Sequence, residues 1–366
     1  MSVLIAGGGT GGHVFPMIAV GQAVQAAAPT AEVFYVGTAR GIEARAVPDA
    51  GGDLELVDVA PLRGGGVGGF ARGVVQAFRG LAASRRLIAR RRPDVVFSVG
   101  GYAGGPIALA ARMAGVPVAI LEPNAVLGLT NRLLAPIASR AYTAFGDLHE
   151  RFRGDVGLKT GVPLRRTIAP SPYEPSVGRF SVLVLGGSQG AKALNERVPD
   201  AFAKIVAAVP EARIVHQAGR GRGDDTRAAY ERAGVPHDAA RVVEFIDDVG
   251  AELRAADVVV QRCGASSLAE LCATGRASVL VPFPFAADQH QLRNARSLER
   301  AGAAIALTQD EATPVALAGA LVDLARDPGR RVRMARAALE VATPDAARAV
   351  AEDLLHLAER ANPRRS

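Results

Sequence analysis

Short apolar runs alternate with longer amphipathic stretches along most of the chain. The first two runs are Val3-Leu4-Ile5-Ala6 and Val33-Phe34-Tyr35-Val36. Similar runs occupy residues 54–59, 95–99, 118–121, 141–144, 181–185, 214–216, 241–243, 258–260 and 278–281. Continuous apolar runs are typical of strands buried on both faces, which parallel sheets with crossover helices require. The pattern therefore predicts an α/β fold built on parallel sheets.

One arrangement of strand, glycine turn and helix start occurs twice. The first run enters Gly7-Gly8-Gly9-Thr10-Gly11-Gly12-His13 before a helix predicted over 16–28, and the run 181–185 enters Gly186-Gly187-Ser188-Gln189-Gly190. This repetition predicts two Rossmann-like domains, which we assign to residues 1–163 and 164–342. The segment 343–366 starts with a Thr-Pro-Asp helix cap, and we expect it to pack back on the first domain.

The first glycine turn fits no common nucleotide motif completely. Glycines allow a phosphate to approach backbone amides, and a helix N-terminus favours negative charge. The turn matches G-x-G-x-x-G, but the second strand ends in Gly37-Thr38 without the acid that holds a ribose. A P-loop lysine is also missing, because His13 stands in its place. A tight turn that binds nothing is the alternative interpretation.

Composition narrows the possible partners. Lysine and arginine exceed the acids, giving a formal net charge of +7, which favours anionic partners. Five tyrosines, twelve phenylalanines and no tryptophan argue against a platform that stacks nucleic-acid bases. Two cysteines, Cys263 and Cys272, indicate a reducing compartment. The chain has no Asp-x-Asp motif and no His/Cys cluster with zinc spacing, so we expect neither a metal nor another cofactor.

A predicted helix in the first domain combines apolar residues with many arginines. Its apolar members are Val74, Val75, Phe78, Leu81 and Leu87, and its arginines are Arg72, Arg79, Arg85, Arg86 and Arg90 to Arg92. Such a rim of arginines is typical of a surface that meets anionic lipid headgroups. The alternative is a helix whose apolar side packs on the sheet and whose arginines are solvated.

Two segments of the second domain suggest a nucleotide site. Residues 262–270 read Arg-Cys-Gly-Ala-Ser-Ser-Leu-Ala-Glu and open a helix with small residues suited to a diphosphate. Glu270 is placed to accept from two ribose hydroxyls, although glutamates early in a helix often only complement its dipole. Asp288-Gln289-His290-Gln291 follows a Pro-Phe-Pro-Phe turn.

The motifs together resemble the MurG family of bacterial UDP-N-acetylglucosamine:lipid I N-acetylglucosaminyltransferases. The resemblance runs essentially end to end, through residues 8–16, 100–102, 128–131, 186–191, 244–248 and 288–291. It implies a GT-B fold, with two Rossmann-like domains facing a central cleft, and metal-independent, inverting transfer in peptidoglycan synthesis. The implied partners are UDP-N-acetylglucosamine, lipid I, the anionic cytoplasmic face of the cell membrane, and proteins of cell-wall synthesis and division. Nucleic acid is not among them.

The resemblance also assigns roles residue by residue. Thr10, Gly11, Gly12 and Ser188 flank the donor phosphates and sugar; Asn124, Arg165 and Gln291 contact the donor; Ile246 meets the uracil and Glu270 the ribose. Ala265, Ser266, Ser267, Leu268 and Ala269 form, with Glu270, the turn beneath the diphosphate. His13, Tyr102, Glu122 and Asn131 lie on the acceptor side. The chain departs from the family pattern at Leu121 and Pro123, and at Val162 and Leu164.

Two questions stay open at this stage. The general base is either His13 or Glu122. A helix N-terminus keeps His13 neutral, and Glu122 lies beyond a strand end. If His13 is not the base, its alternative role is a hydrogen bond that orients the acceptor. The competing functions are a UDP-sugar epimerase, another UDP-sugar-dependent glycosyltransferase, and a catalytically silent regulator at the membrane surface.

Overall fold

The computed structural model of the chain divides into two compact α/β units. The N-terminal unit comprises residues 1–165 with 343–366, and the C-terminal unit comprises residues 166–342. The structure describes residues 1–39, 41–57, 67–187 and 190–361; for 67–78, 102 and 287 it describes the backbone only. Within these residues both units contain the parallel sheets that the apolar runs predicted, and the α/β fold class is confirmed.

The N-terminal unit contains a seven-stranded sheet in the order β3-β2-β1-β4-β5-β6-β7, with every neighbouring pair parallel. Its strands are β1 (Ser2–Ala6), β2 (Glu32–Gly37), β3 (Asp53–Leu56), β4 (Val95–Ser98), β5 (Val118–Glu122), β6 (Arg140–Thr143) and β7 (Gly157–Lys159). Its first helices are α1 (Gly11–Ala27), α2 (Glu43–Asp49), α3 (Val67–Arg91), α4 (Gly101–Met113) and α5 (Leu129–Leu134).

Successive side chains of β1 serve two separate cores because side chains alternate along a strand. Val3 and Ile5 pack with Met17 of α1 on one face of the sheet. Leu4 and Ala6 pack on the other face, where α3 and α4 lie. A strand buried on both faces explains why the sequence shows a continuous apolar run there.

The C-terminal unit contains a six-stranded sheet in the order β10-β9-β8-β11-β12-β13, again with parallel neighbours. Its strands are β8 (Phe180–Leu185), β9 (Ala212–Gln217), β10 (Ala240–Val243), β11 (Val258–Gln261), β12 (Ala277–Leu280) and β13 (Ala304–Ala306). Its helices are α6 (Lys192–Ala208), α7 (Gly223–Arg232), α8 (Val249–Ala255), α9 (Ala265–Thr274), α10 (His290–Arg300), α11 (Pro314–Arg326) and α12 (Pro328–Val341).

A last helix, α13 (Ala346–Ala361), packs against α1 in the N-terminal unit. Val350 and Leu354 are fully buried with the α1 face of the sheet. Asp353 accepts from the Arg140 guanidinium and from the Tyr142 hydroxyl, both at 2.8 Å. These contacts join α13 to β6.

Helix α3 differs in part from the lipid-facing surface that the sequence suggested. Leu87 and Ile88 are buried in the core on the sheet, as the alternative interpretation expected. Arg90 and Arg91 form ion pairs with Glu55. The side chains of Arg72, Val74, Val75 and Phe78 lie outside the described residues.

One predicted helix is shorter than its sequence pattern. The pattern predicts a helix over 125–138, whereas α5 begins only at Leu129 and is followed by a 3₁₀ turn at Ala135–Ile137. Residues 124–128 instead form a loop whose backbone amides bond the Glu122 carboxylate. A local propensity was therefore overridden by a contact to a buried side chain.

Candidate functional site

The turn between β1 and α1 presents a histidine at the start of a helix. Gly8 and Gly9 have φ of 144° and 95°, which a residue with a side chain rarely adopts. Thr10 is the N-cap, but its hydroxyl bonds His13 Nδ1 at 3.2 Å and caps no backbone amide. This bond turns Nε2 of His13 away from Thr10. Burial lowers the pKa of His13 below 6.5, and the Glu43 carboxylate partly opposes that shift.

His13 and Asn131 meet beside Gly100, at the turn between β4 and α4. A Cβ built on Gly100 would lie 3.7 Å from His13 Nε2 and 3.9 Å from Asn131 Nδ2. Gly100 also has φ of 87°, a conformation that disfavours a side chain. Two residues assigned to the acceptor side therefore both lie beside Gly100.

Glu122 ends β5 as a buried carboxylate that is 2% exposed. Oε1 accepts from the backbone and side-chain amides of Asn124, each at 3.1 Å. Oε2 accepts from Gly128 N at 2.8 Å and from Asn131 Nδ2 at 3.0 Å. Four donors occupy the carboxylate, which favours a role in holding Asn124 and Asn131 rather than in removing a proton.

Two further predicted residues of the N-terminal unit can be located. Arg165 lies with its guanidinium 4.4 Å from the ring centroid of Phe15 on α1, a cation–π arrangement. Tyr102 lies in the first turn of α4, and its side chain is outside the described residues.

In the C-terminal unit, the segment between β8 and α6 also contains glycines with positive φ. Gly187 and Gly190 have φ of 80° and 71°. A Cβ on Gly190 would collide with the carbonyl oxygen of Ala218, so the turn packs directly on the backbone that follows β9. Ser188 and Gln189 lie outside the described residues.

Helix α9 carries the segment predicted to lie beneath a diphosphate. Ala265, Ser266, Ser267, Leu268, Ala269 and Glu270 form its first two turns. Its N-cap is Gly264, and no side chain caps the helix at that residue. Backbone amides at such an end favour an anion. Glu270 is buried, at 8% exposure.

Side chains of helix α10 form hydrogen bonds with the backbone of Cys263, just before the N-cap of α9. Gln291 Oε1 accepts from Cys263 N at 3.1 Å and from Phe283 N at 3.0 Å. One turn further, fully buried Asn294 donates to the Cys263 carbonyl at 3.2 Å. The two residues before α10, Asp288 and Gln289, have φ of 50° and 52°. Left-handed backbone without glycine is a strained arrangement that is often found at functional sites.

A buried polar group in the same unit was not predicted. His216 on β9 bonds the Tyr230 hydroxyl at 2.9 Å and Asn195 Oδ1 at 3.1 Å. Asn195 donates in turn to the Ala218 carbonyl against which Gly190 packs. Burial lowers the pKa of His216 to about 3. Glu43 and Asn294 were likewise missed, because Gly9, which Glu43 bonds, and Cys263, which Asn294 bonds, lie far from them in the sequence.

The remaining predicted positions add local detail. Ile246 is buried in the loop after β10, and nearby Asp248 caps α8 by accepting from Ala251 N at 2.9 Å. Cys263 and Cys272 are free and buried, and burial raises the pKa of Cys272 to about 12. Among the described residues, no group of three His, Cys, Asp or Glu side chains is arranged to hold a metal ion. No helix in the same part of the chain is long and apolar enough to span a membrane.

Sequence comparison matches two domain models to the chain. The model of the glycosyltransferase family 28 N-terminal domain matches residues 3–143, and that of its C-terminal domain matches residues 181–350.

Two curated relatives carry the name UDP-N-acetylglucosamine--N-acetylmuramyl-(pentapeptide) pyrophosphoryl-undecaprenol N-acetylglucosamine transferase. The protein from Sorangium cellulosum (strain So ce56) is 57% identical over 98% of this chain and 89% of its own length. The protein from Myxococcus xanthus (strain DK1622) is 41% identical over 96% of this chain and 92% of its own length.

Solved structures include similar chains of two kinds. The crystal structure of Acinetobacter baumannii MurG has a TM-score of 0.79 and 31% identity, covering 97% of this chain and 99% of its own. A UDP-GlcNAc 2-epimerase from Neisseria meningitidis, bound to UDP-GlcNAc, has a TM-score of 0.71 but 12% identity, covering 97% and 100%. The second likeness shows the fold alone.

Proposed function

The chain belongs to glycosyltransferase family 28, and from this premise we propose that it transfers N-acetylglucosamine from UDP-N-acetylglucosamine to lipid I. Lipid I is the undecaprenyl-diphosphate-linked N-acetylmuramyl pentapeptide, and the products are lipid II and UDP. The activity named for the relatives supports this pair of substrates. Within the chain, the observation that carries the proposal is the proximity of the His13 imidazole and the Asn131 amide, which both lie beside Gly100.

The proposed reaction is an in-line displacement with inversion at the anomeric carbon. The acceptor hydroxyl oxygen forms the new bond to that carbon, and the bond from the carbon to the UDP oxygen breaks. The hydroxyl proton passes to His13 Nε2, which Thr10 orients through Nδ1. We assign Glu122 to positioning, because its four hydrogen bonds hold Asn124 and Asn131. A positioned base contributes roughly 10²–10⁴-fold to such a step.

We assign the leaving diphosphate to backbone donors of the C-terminal unit. The N-terminal amides of α9 offer donors and a favourable helix dipole, and the turn at Gly187 to Gly190 offers a second glycine-rich backbone. Glu270 is assigned to the ribose, Ile246 to the uracil, and Gln291 to the donor. Fixed donors of this kind stabilise charge as it develops on the leaving group. On this proposal no metal ion or other cofactor takes part.

The test is a reaction of the protein with radiolabelled UDP-N-acetylglucosamine and a lipid I analogue. We expect labelled lipid II, and UDP released only when the acceptor is present, at the same rate with and without EDTA. Epimerised sugar or UDP release without acceptor would support the epimerase alternative. Binding without turnover would support the silent regulator. A rate lost with EDTA and restored by Mg²⁺ would contradict the assignment of the diphosphate to backbone donors.

We also propose that the N-terminal unit binds an anionic membrane surface, as the lipid-linked acceptor requires. Leu109 and Met113 are exposed on α4, and Leu129 and Leu133, each 69% exposed, lie on α5, which packs against α4. Exposed Arg112 and Arg132 flank these apolar side chains. An apolar face with arginines beside it suits an interface rich in anionic lipid.

Cosedimentation with vesicles tests the membrane proposal. Leu129→Glu with Leu133→Glu is expected to weaken binding to vesicles of phosphatidylglycerol and phosphatidylethanolamine, while turnover of a short-chain, soluble acceptor stays near wild type. Equal binding by the variant would contradict the proposed surface. We further propose that the protein works at the cytoplasmic face of the cell membrane as a peripheral protein, with proteins of cell-wall synthesis and division as partners.

A further inference from the structure

A buried carboxylate lies against the first glycine turn and has no role in the assignments above. Glu43, at the start of α2, is 0% exposed. Its Oε2 accepts from Gly9 N at 2.9 Å, and its Oε1 accepts from Thr38 N and Thr38 Oγ1, both at 2.9 Å. Thr38 follows β2, so Glu43 joins the ends of two neighbouring strands, β1 and β2.

Three glycines make room for this carboxylate. A Cβ at Gly8, Gly37 or Gly41 would collide with the side chain of Glu43. Gly8 in the turn, and Gly37 and Gly41 at and after the end of β2, therefore accommodate a carboxylate that belongs to the chain itself. In particular, the glycine pattern suggested the Gly9 amide as a donor to a phosphate, but this amide donates its hydrogen bond to Glu43.

We propose that Glu43 is a positioning residue for the transfer reaction, holding the Gly8–Gly9 turn so that His13 faces the acceptor and stabilising the proton that His13 receives. This inference rests on the proposed function. The connection runs from Glu43 to Gly9, through the chain to Thr10, and from the Thr10 hydroxyl to His13. A negative charge near an imidazole favours its protonated form, and the Glu43 carboxylate raises the pKa of His13 against the effect of burial.

Glutamine cannot reproduce these contacts. The carboxylate accepts through both oxygens, whereas an amide has one oxygen and an NH₂ group that would face either Gly9 N or Thr38 N. Glu43→Gln therefore removes the charge and one backbone acceptor while nearly conserving volume. Glu32→Gln is the matched control, because Glu32 is an exposed carboxylate at the opposite end of β2.

The first measurement is steady-state transfer by the full chain with UDP-N-acetylglucosamine and a lipid I analogue. We expect Glu43→Gln to lower kcat by roughly 10- to 100-fold, as small misplacements of reacting groups do. UDP binding by calorimetry should stay within about 2-fold, because Ile246, assigned to the uracil, Glu270, assigned to the ribose, and the α9 amides, assigned to the diphosphate, lie in the C-terminal unit. Glu32→Gln should resemble wild type. Wild-type kcat in Glu43→Gln would overturn the inference while leaving the proposed function intact; absence of transfer by wild type would instead reject the proposed function.

A double-mutant cycle separates positioning from general support of the fold. If Glu43 acts through His13, Glu43→Gln should cause no further loss in a His13→Ala background. Losses that multiply would show that Glu43 acts independently and would overturn the inference. Should Glu43→Gln fail to fold, Thr38→Val removes only the hydroxyl contact to Oε1. It should lower kcat by a few fold in wild type and not in His13→Ala; an equal loss in both backgrounds would again overturn the inference.

Discussion

At the scale of single residues, His13 and Glu122 differ in what their polar atoms already bond. His13 bonds Thr10 through Nδ1, and its Nε2 lies beside Gly100. Both oxygens of Glu122 are occupied by two donors each. The sequence left both residues as candidates for the base because a motif names residue types and not their hydrogen bonds. The geometry supports His13 as the base and Glu122 as the residue that holds Asn131.

The pH dependence of transfer tests His13. Burial lowers its pKa below 6.5, so the neutral base persists as the pH falls below that value. We expect kcat to stay level down to a pH below 6.5 and then to decline, and His13→Ala to lower kcat by roughly 10²- to 10⁴-fold and to remove this decline. The measurement is kcat between pH 4.5 and 8 at saturating substrates. An unchanged acid limb in His13→Ala would exclude His13 as the base.

Replacing Glu122 should give a different result. In Glu122→Gln the amide NH₂ faces two of the four donors, leaving buried groups unsatisfied. We expect the free energy of unfolding to fall by about 1–3 kcal/mol, measured by urea titration, with the acid limb of kcat retained. A loss of that limb without a loss of stability would instead identify Glu122 as the base.

The candidate site residues that the sequence predicts are those with a local signature. His13 ends a run of glycines at a helix start, and Glu270 follows small residues at another. Glu43 and Asn294 escaped notice because the contacts that tie them to the glycine turn and to α9 are distant in sequence: Gly9 is 34 residues from Glu43, and Cys263 is 31 residues from Asn294. Only the fold brings these groups together.

At the scale of elements, side chains of α10 hold the backbone that precedes α9. Gln291 and Asn294, on successive turns, bond the N–H and C=O of Cys263. Loss of these hydrogen bonds should displace the α9 amides that we assign to the diphosphate.

Asn294→Ala tests whether the hydrogen bond to the Cys263 carbonyl holds the start of α9 in place. We expect UDP binding, measured by calorimetry, to weaken by roughly 10-fold, because a buried carbonyl loses its donor and the preceding loop gains freedom. Arg293→Ala, an exposed change on the same helix, is the control and should bind like wild type. Unaltered affinity in Asn294→Ala would show that the helix start is held by other contacts.

Three strands followed the sequence where burial decided them, α1 begins at Gly11 rather than at the predicted residue 16, and α5 begins late because a side chain binds the preceding loop. The continuous apolar runs correctly predicted β1, β5 and β8, since both faces of these strands are buried. The loop at residues 124–128 reads as helix in sequence, but Glu122 binds its amides in the loop conformation. Hydrogen bonds from backbone amides to the Glu122 carboxylate leave no periodic pattern in the sequence, so the sequence does not predict this loop.

At the scale of the whole molecule, stability should depend on pH through His216. The unfolded chain binds a proton at this residue below pH 6.5, whereas the folded chain does so only near pH 3. Between these values the unfolded state holds more protons, so stability falls as the pH falls, by up to about 1.4 kcal/mol per pH unit for one group. His216→Gln should flatten this slope in urea titrations from pH 6.5 to 4, while His237→Gln, an exposed change in the same unit, should not. Equal slopes in both variants would show that other groups dominate.

The position of α13 in the chain bears on the order of events during synthesis. The N-terminal unit lacks the Val350 and Leu354 side chains of its core, and the Asp353 partner of Arg140 and Tyr142, until residues beyond 343 have left the ribosome. By then the whole C-terminal unit, residues 166–342, has emerged and has every strand of its own sheet. Domains form as units during translation. The C-terminal unit can therefore complete its folding before the N-terminal unit does, although most of the N-terminal unit is translated first.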